Sequence, residues 1–249
     1  MSELPIMAGE PLTRRDRVRA ETVREIKQTA RRLLVEQGVE GLALRGIARE
    51  MGMTAPALYR YFASREDLLE NLVTDLYTEL AKELESACAA ARPPTVAMRL
   101  MSASRAFRAW AMSHRQEFGL LFGSPLEDAV TDRVMHEGPA HDAKQRFGGV
   151  FAALIAELYL TAPFPVPADD ELDWALRAQL QDWCEVFPVQ LPLGVMQVFL
   201  ACWIRLYGMV CMEVFGHLQF ALKDAEPMFE AELHHIGELL GVGDEYHRP

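Results

Sequence analysis

Apolar residues recur along this chain at helical spacing, and no stretch alternates apolar with polar residues as a strand would. That periodicity points to an all-α fold. Val23, Ile26, Ala30, Leu33 and Leu34 share one face of a first helix over about 18–37, which Gly38 stops. A short second helix starts near Leu44, buries Leu44, Ile47, Ala48 and Met51, and is broken by Gly52. Thr54 is placed to cap a third helix, with Pro56 in its first turn and Leu58 and Phe62 facing inward. Ser64 caps a fourth, with Asp67 three residues on as a weaker form of the capping box. This helix carries Leu68, Leu69, Leu72, Val73, Leu76 and Leu80 and ends before Pro93-Pro94. Beyond the double proline the spacing predicts helices over 95–114, 116–122, 141–160, 170–187, 193–215 and 227–240, separated by glycine and proline breaks. Residues 126–140 are polar and read either as a loop or as an irregular helix.

A chain of 249 residues can bury a core without a disulfide or metal staple, and its 50% apolar content excludes disorder. Cys88, Cys184, Cys202 and Cys211 form no CxxC pair and no Cys/His cluster, so buried thiols are expected, with no metal and no cofactor. The opening MSELPIMAGEPLTRRDRVR lacks the charged-then-apolar order of a signal peptide and is read as a tail. Leu193 to Phe215 approaches the length of a membrane span, but Gln197, Arg205 and Glu213 interrupt it without a flanking basic cluster. A buried helix of a soluble, cytoplasmic protein with no membrane partner is the expectation.

The net charge of −11 argues against nucleic acid until its distribution is considered. Residues 11–65 hold 12 basic and 6 acidic side chains, a local charge of +6, whereas 66–249 carry −15. A basic head on an acidic body is the asymmetry of a chain that touches phosphate at one end only. Two short helices around a glycine turn, the second opening with a capping residue, have the shape of a helix-turn-helix. In LRGIAREMGMTAPALYRYFASREDLL the outward side chains are Arg45, Ala55, Ala57, Tyr59, Arg60 and Arg65. Arginines suit guanine edges and phosphates, alanines allow close approach to thymine methyls, and a tyrosine hydroxyl suits a phosphate.

The stretch from about Arg19 to Val73 resembles the DNA-binding domain of TetR-family regulators, which end the recognition helix with Leu-Tyr-x-His/Tyr-Phe and a short basic turn. Here that pattern is Leu58, Tyr59, Arg60, Tyr61 and Phe62, then Ser64-Arg65. The resemblance implies that Arg45 contacts a base and that Thr54, Ala55, Pro56 and Ala57 form the tip of the recognition helix. It further implies phosphate contacts by Tyr59 and Arg65, while Tyr61 replaces the commoner histidine. Arg14, Arg15, Arg17 and Arg19 either reach the minor groove or backbone or remain in a solvated tail. FGLLFGSP (118–125) and CWIRLYGMVCMEVFG (202–216) resemble the TetR C-terminal domain named for a Trp-x-x-x-His-Gly motif, matched by Trp203 and Gly208 but with Tyr207 in place of histidine.

The expected architecture is thus all-α: a flexible basic tail over 1–17, a three-helix helix-turn-helix DNA-binding domain over 18–66, and a helical ligand-binding and dimerisation bundle over 67–249. The resemblance implies a homodimer through helices near 193–215 and 227–240, on a pseudo-palindromic double-stranded operator with half-sites about 34–36 Å apart. A small-molecule effector would release a repressor. Ala103, Phe107, Trp110 and His114 share a face of the fifth helix, and Phe118, Phe122, Phe147, Phe151 and Trp183 extend that aromatic set. With Trp203 and Tyr207 they either line a cavity for an apolar or aromatic molecule, oriented by His114 or Tyr207, or form plain core. No nucleophile elbow, paired-carboxylate context or phosphate loop supports an enzyme. The alternative is a DNA-binding interaction protein of the same fold without a small-molecule ligand.

Overall fold

The computed structural model describes residues 13–123, 137–184 and 190–246; most of the predicted tail, residues 126–136 of the polar stretch and the end of the predicted 170–187 helix lie outside them. The chain divides into two compact units, Met1–Leu72 and Val73–Pro249, and every regular element among the described residues is helical.

In the first unit, α1 spans Arg14–Gln37 and buries Ile26, Ala30, Leu33 and Leu34. It begins four residues earlier than apolar periodicity predicts because Thr13 and Asp16 form a capping box, each side chain accepting from the other's backbone N–H at 3.2 Å. Arg14, Arg15 and Arg17 therefore ride on its exposed first turns rather than in a tail. Gly38, at φ 71°, ends the helix by donating to the Leu34 carbonyl at 2.9 Å. Helix α2 (Leu44–Glu50) buries Leu44, Ile47 and Ala48, while Met51 sits half-buried at its C-cap instead of in the core. Gly52, at φ 66°, makes the turn into α3 (Ala55–Leu58). Thr54 holds the N-cap position, but its hydroxyl makes no capping bond; its carbonyl accepts from Ala57 and Leu58.

Helix α4 (Arg65–Ala90) starts beside Ser64, whose hydroxyl accepts from the Asp67 N–H at 3.2 Å. Asp67 reaches past Ser64 to the Ala63 N–H at 2.9 Å, so the predicted box closes one residue further out. Leu68, Leu69 and Leu72 belong to the core of the first unit, and Val73, Leu76, Tyr77, Leu80, Ala81 and Leu84 to that of the second.

The second unit continues with α5 (Val96–Ser113), capped by Thr95, and α6 (Arg115–Phe118), which runs into a π-helical turn over Gly119–Gly123. Helices α7 (Pro139–Thr161), α8 (Trp174–Cys184), α9 (Leu193–Val214) and α10 (Glu226–Leu239) complete the bundle. The start of α8 falls later than predicted because Ala168–Glu171 closes a turn of its own, and Asp173 then caps the helix through the Ala175 and Leu176 N–H groups. Helix α9 is long and apolar enough to cross a membrane by length and composition. It packs instead on α10, α8 and α5, and its charges are paired: Arg205 with Glu232 at 3.1 Å, and Glu213 with Arg108.

Two bidentate ion pairs fasten α5 to its neighbours. The Arg108 guanidinium meets Glu213 of α9 twice at 2.7 Å and lies 5.2 Å from the Phe229 ring centroid. Arg105 meets Glu230 of α10 at 2.9 and 2.8 Å, and Tyr246 donates to the same carboxylate. Only 7% of the Glu230 side chain is exposed, so its removal strands a half-buried guanidinium. Glu230→Ala is expected to cost about 2–3 kcal/mol. Chemical denaturation checks this, and an unchanged midpoint would show the pair to be dispensable.

Candidate nucleic-acid interface and internal cavity

The first unit sorts its arginines by what they touch. Arg24 pairs with Glu21 at 2.7 Å, and Arg32 bridges Glu36 and Glu50 at 3.2 and 2.9 Å, tying α1 to α2. Arg45, Arg49 and Arg60 are exposed, as are Thr54 and Pro56 at the start of α3; Ala55 and Ala57 are half-buried. Tyr59 is 47% exposed beyond the last turn of α3. The short α3 thus presents small residues at its tip and polar side chains at its end.

Two expected contacts carry structural duties as well. Arg65 is half-buried and donates to the Val39 carbonyl at 3.2 Å, clamping the α1–α2 connection. Tyr61 is half-buried beneath Arg19, whose guanidinium lies 5.1 Å from the ring centroid and donates to the Arg60 carbonyl at 3.3 Å. Arg19 therefore braces the end of the recognition helix from 41 residues away in sequence. Local spacing carries no signal for that contact.

The second unit contains a cavity of about 680 Å³, within the range of small-molecule sites. Six of the ten aromatic residues singled out from sequence line it: Phe122, Phe147, Phe151, Trp183, Trp203 and Tyr207. The other four do not. Phe107 and Phe118 are fully buried in the ring cluster. Trp110 donates its indole N–H to Glu79 at 3.0 Å. His114 stacks on Trp110 at 5.0 Å with Nδ1 against that residue's carbonyl, so it orients nothing in the cavity. Residues that aromatic periodicity missed complete the wall: Tyr77 from α4, Leu121 from the π-helical turn, Phe199 and Leu200 from α9, and His141, Lys144, Gln145, Gly148, Gly149 and Ala152 along α7.

Tyr207 donates its hydroxyl to the Phe122 carbonyl at 2.9 Å and stacks on Trp203 at 5.5 Å. Burial, with a hydrogen bond to Cys211, pushes its phenol up to about 12. Burial also raises Tyr77, and it lowers the Lys144 ammonium, because a charged group loses hydration in an apolar wall. Among the described residues no group of His, Cys, Asp and Glu could hold a metal ion.

A helix-turn-helix with an exposed recognition tip, followed by a separate helical unit, defines a DNA-binding regulator. Residues 26–72 match the family described as bacterial regulatory proteins, tetR family, and residues 100–236 match the tetracyclin repressor-like C-terminal domain. The HTH-type transcriptional regulator Rv1816 of Mycobacterium tuberculosis is 34% identical over 234 residues, covering 88% of this chain and 92% of the relative. The crystal structure of putative regulatory protein SCO4313 matches with a TM-score of 0.66 at 29% identity, over 90% of this chain and 98% of that one. RolR, solved in complex with resorcinol, shares the fold at 15% identity and a TM-score of 0.51, over 94% and 98% of the two chains. The protein belongs to the TetR family of transcriptional regulators, whose members bind DNA operators as dimers.

The buried phenols set an alkaline limit. Tyr207 releases its proton near 10 when unfolded and near 12 when folded, so between those values the unfolded chain holds fewer protons and stability falls as pH rises. Denaturation midpoints measured from pH 9 to 11.5 should decline, and Tyr207→Phe should flatten the decline. An equal slope in both proteins would contradict the shift.

Proposed function

We propose that the protein is a repressor that occupies a pseudo-palindromic operator as a homodimer and leaves it when a small apolar or aromatic molecule fills the cavity. The observation that carries this reading is a cavity of about 680 Å³ walled by aromatic rings in the C-terminal unit of a DNA-binding regulator. RolR gives a precedent for a bound ligand in this fold, with resorcinol. Coupling would run through α4, one continuous helix that puts Leu68 into the core of the reading unit and Tyr77 into the cavity wall. A molecule that fits one setting of Tyr77 better than another shifts that helix by its difference in affinity.

For DNA, Arg45 is the base-reading candidate, Thr54 to Ala57 the close-approach tip, and Tyr59, Arg60 and Arg65 the phosphate contacts. Tyr61, held under Arg19, is assigned to positioning. For dimerisation, Ile204, Gly208 and Met212 follow one another along α9 and Phe215 stands at its C-cap, with Ile204 67% exposed and Met212 and Phe215 also open, and Met228 adds to the face from α10. Space is open around Gly208, where a Cβ would meet nothing within 4 Å, so a twin helix can approach closely. Met212→Asp should shift the protein to monomer in sedimentation velocity and weaken operator binding in parallel. A dimer that persists would move the interface elsewhere.

The reading is tested by gel shift on the intergenic DNA beside the gene, with salt varied. Binding should fall steeply with salt. Arg45→Ala should weaken binding and relax preference at one base pair, by about 1–3 kcal/mol, whereas Arg65→Ala should weaken all sequences alike. Arg65→Ala should also destabilise the domain, since the Val39 carbonyl loses one of its two donors and keeps the Leu42 N–H. Equal losses on every operator variant for both substitutions would overturn the assignment of Arg45, and tight binding that no small molecule releases would favour the interaction-protein alternative.

A further inference from the structure

Rings dominate the cavity of the second unit. Among the described residues, eight of the sixteen that line it are aromatic, against 9% of the whole chain. The aliphatic share is Leu121, Leu200 and Ala152, and no Met contributes. Aromatic side chains make stiff walls, whereas Met is the residue of adaptable surfaces. The face of α7 that meets the cavity is bare in its middle. His141, Lys144, Gln145, Gly148, Gly149 and Ala152 recur at i, i+3, i+4, i+7, i+8 and i+11, and from Gly148 onward that face carries nothing larger than a methyl. Neither glycine is required by the backbone or by packing among the described residues. Both sit inside a 23-residue helix, neither has a positive φ, and a Cβ at either would meet nothing within 4 Å. Glycine is the poorest helix former after proline, so two in succession weaken α7 for a reason that lies outside its own folding.

We propose that the effector is a flat aromatic molecule of two or more fused rings, seated in this cavity against α7, and that Gly148 and Gly149 set the room it has. This rests on the sensor reading above and names the shape and chemistry of its ligand. Where a helix lacks Cβ atoms its backbone can be approached closely, and a planar ring uses that surface over its whole face. Its edges and faces then meet Phe147, Phe151 and Trp203, and offset or edge-on aromatic pairs attract beyond the area they bury. A saturated ring system of the same skeleton is puckered and carries no π-face, so it makes fewer close contacts with the same wall. An acyl chain must give up its rotational freedom to lie along stiff rings. The volume of about 680 Å³ admits a body of several rings. A side chain at either glycine would strengthen α7 but take the space that the ligand needs.

The test uses the full-length protein and isothermal calorimetry with three ten-carbon alcohols: 2-naphthol, decahydro-2-naphthol and 1-decanol. They share one hydroxyl and differ in flatness and stiffness. 2-Naphthol is expected to bind about tenfold more tightly than either of the others. Phe199→Leu keeps the wall apolar but removes one ring, so it should narrow the gap between 2-naphthol and its saturated counterpart. When Gly148→Ala and Gly149→Ala are combined, the denaturation midpoint should rise, because alanine favours the helix and meets no clash. In the same protein 2-naphthol should lose about tenfold in affinity, while 1-decanol, which can bend past a methyl, keeps most of its own. A lower midpoint would show that the glycines serve the fold, and equal losses for both alcohols would show that they do not select for shape; either result overturns their assignment. Equal or tighter binding of decahydro-2-naphthol or 1-decanol to the unaltered protein overturns the flat-ring ligand while leaving the sensor reading standing. No binding by any of the three overturns both.

Discussion

The second unit is organised around the Phe107 ring. It is fully buried on α5, and five other rings lie with centroids 5.7 to 6.5 Å away: Phe118, Phe122, Phe147, Phe151 and Trp203. These come from α6, the π-helical turn, α7 and α9, so one side chain gathers most of the unit's elements. Tilted and edge-on pairs of this kind add about 0.5–1.5 kcal/mol each beyond the area they bury. The cavity begins where this cluster ends. Phe122, Phe147, Phe151 and Trp203 both contact Phe107 and line the empty space, so the wall is braced from behind. A braced wall holds its shape without ligand, which favours binding because little ordering remains to be done.

That arrangement explains why the sequence revealed the aromatic set but not the cavity's edge. Spacing puts Phe107, Trp110 and His114 on one face of the fifth helix, but α5 ends at Ser113: Phe107 enters the ring cluster, Trp110 turns to Glu79, and His114 stacks on Trp110 from the C-cap. Nothing in spacing says which rings will be packed on all sides and which on one. Lys144 and His141 gave no sequence signal, because a polar residue early in an amphipathic helix ordinarily points to solvent. Their significance comes from the rings of α9 that face the same space. The helix-turn-helix was legible almost residue by residue, since glycine turns, caps and short apolar faces are local properties. Its one long-range brace, Arg19 over Tyr61, was not.

In the first unit the local charge of +6 overstates what can reach DNA. Arg24 and Arg32 are matched by carboxylates at hydrogen-bonding distance, and Arg65 shares itself with a backbone carbonyl. Besides Arg24 and Arg32, the exposed arginines of this unit are Arg14, Arg15, Arg17 and Arg19 of α1, Arg45 and Arg49 of α2, and Arg60. Some of the basic side chains thus hold the unit's shape while others stay exposed, and the acidic remainder of the chain disfavours any other orientation on a polyanion. Affinity and orientation follow from different residues.

Helix α9 joins the two proposed activities of the second unit. Trp203, Tyr207 and Phe199 line the cavity, Leu206 and Val210 enter the core, and Ile204, Gly208 and Met212 lie toward the open side. A helix apolar on every side is ordinarily a buried one or a membrane span. This one is only a third buried over its most apolar stretch, which leaves a face to be covered by something other than its own chain. If that cover is a second copy, the residues that touch ligand and those that touch the twin are one position apart along the helix. A rotation of α9 that accommodates a ligand at Trp203 and Tyr207 must then move Ile204 and Gly208 at the seam. Ligand occupancy and dimer geometry would be coupled through the backbone of a single helix, with no need for a longer pathway.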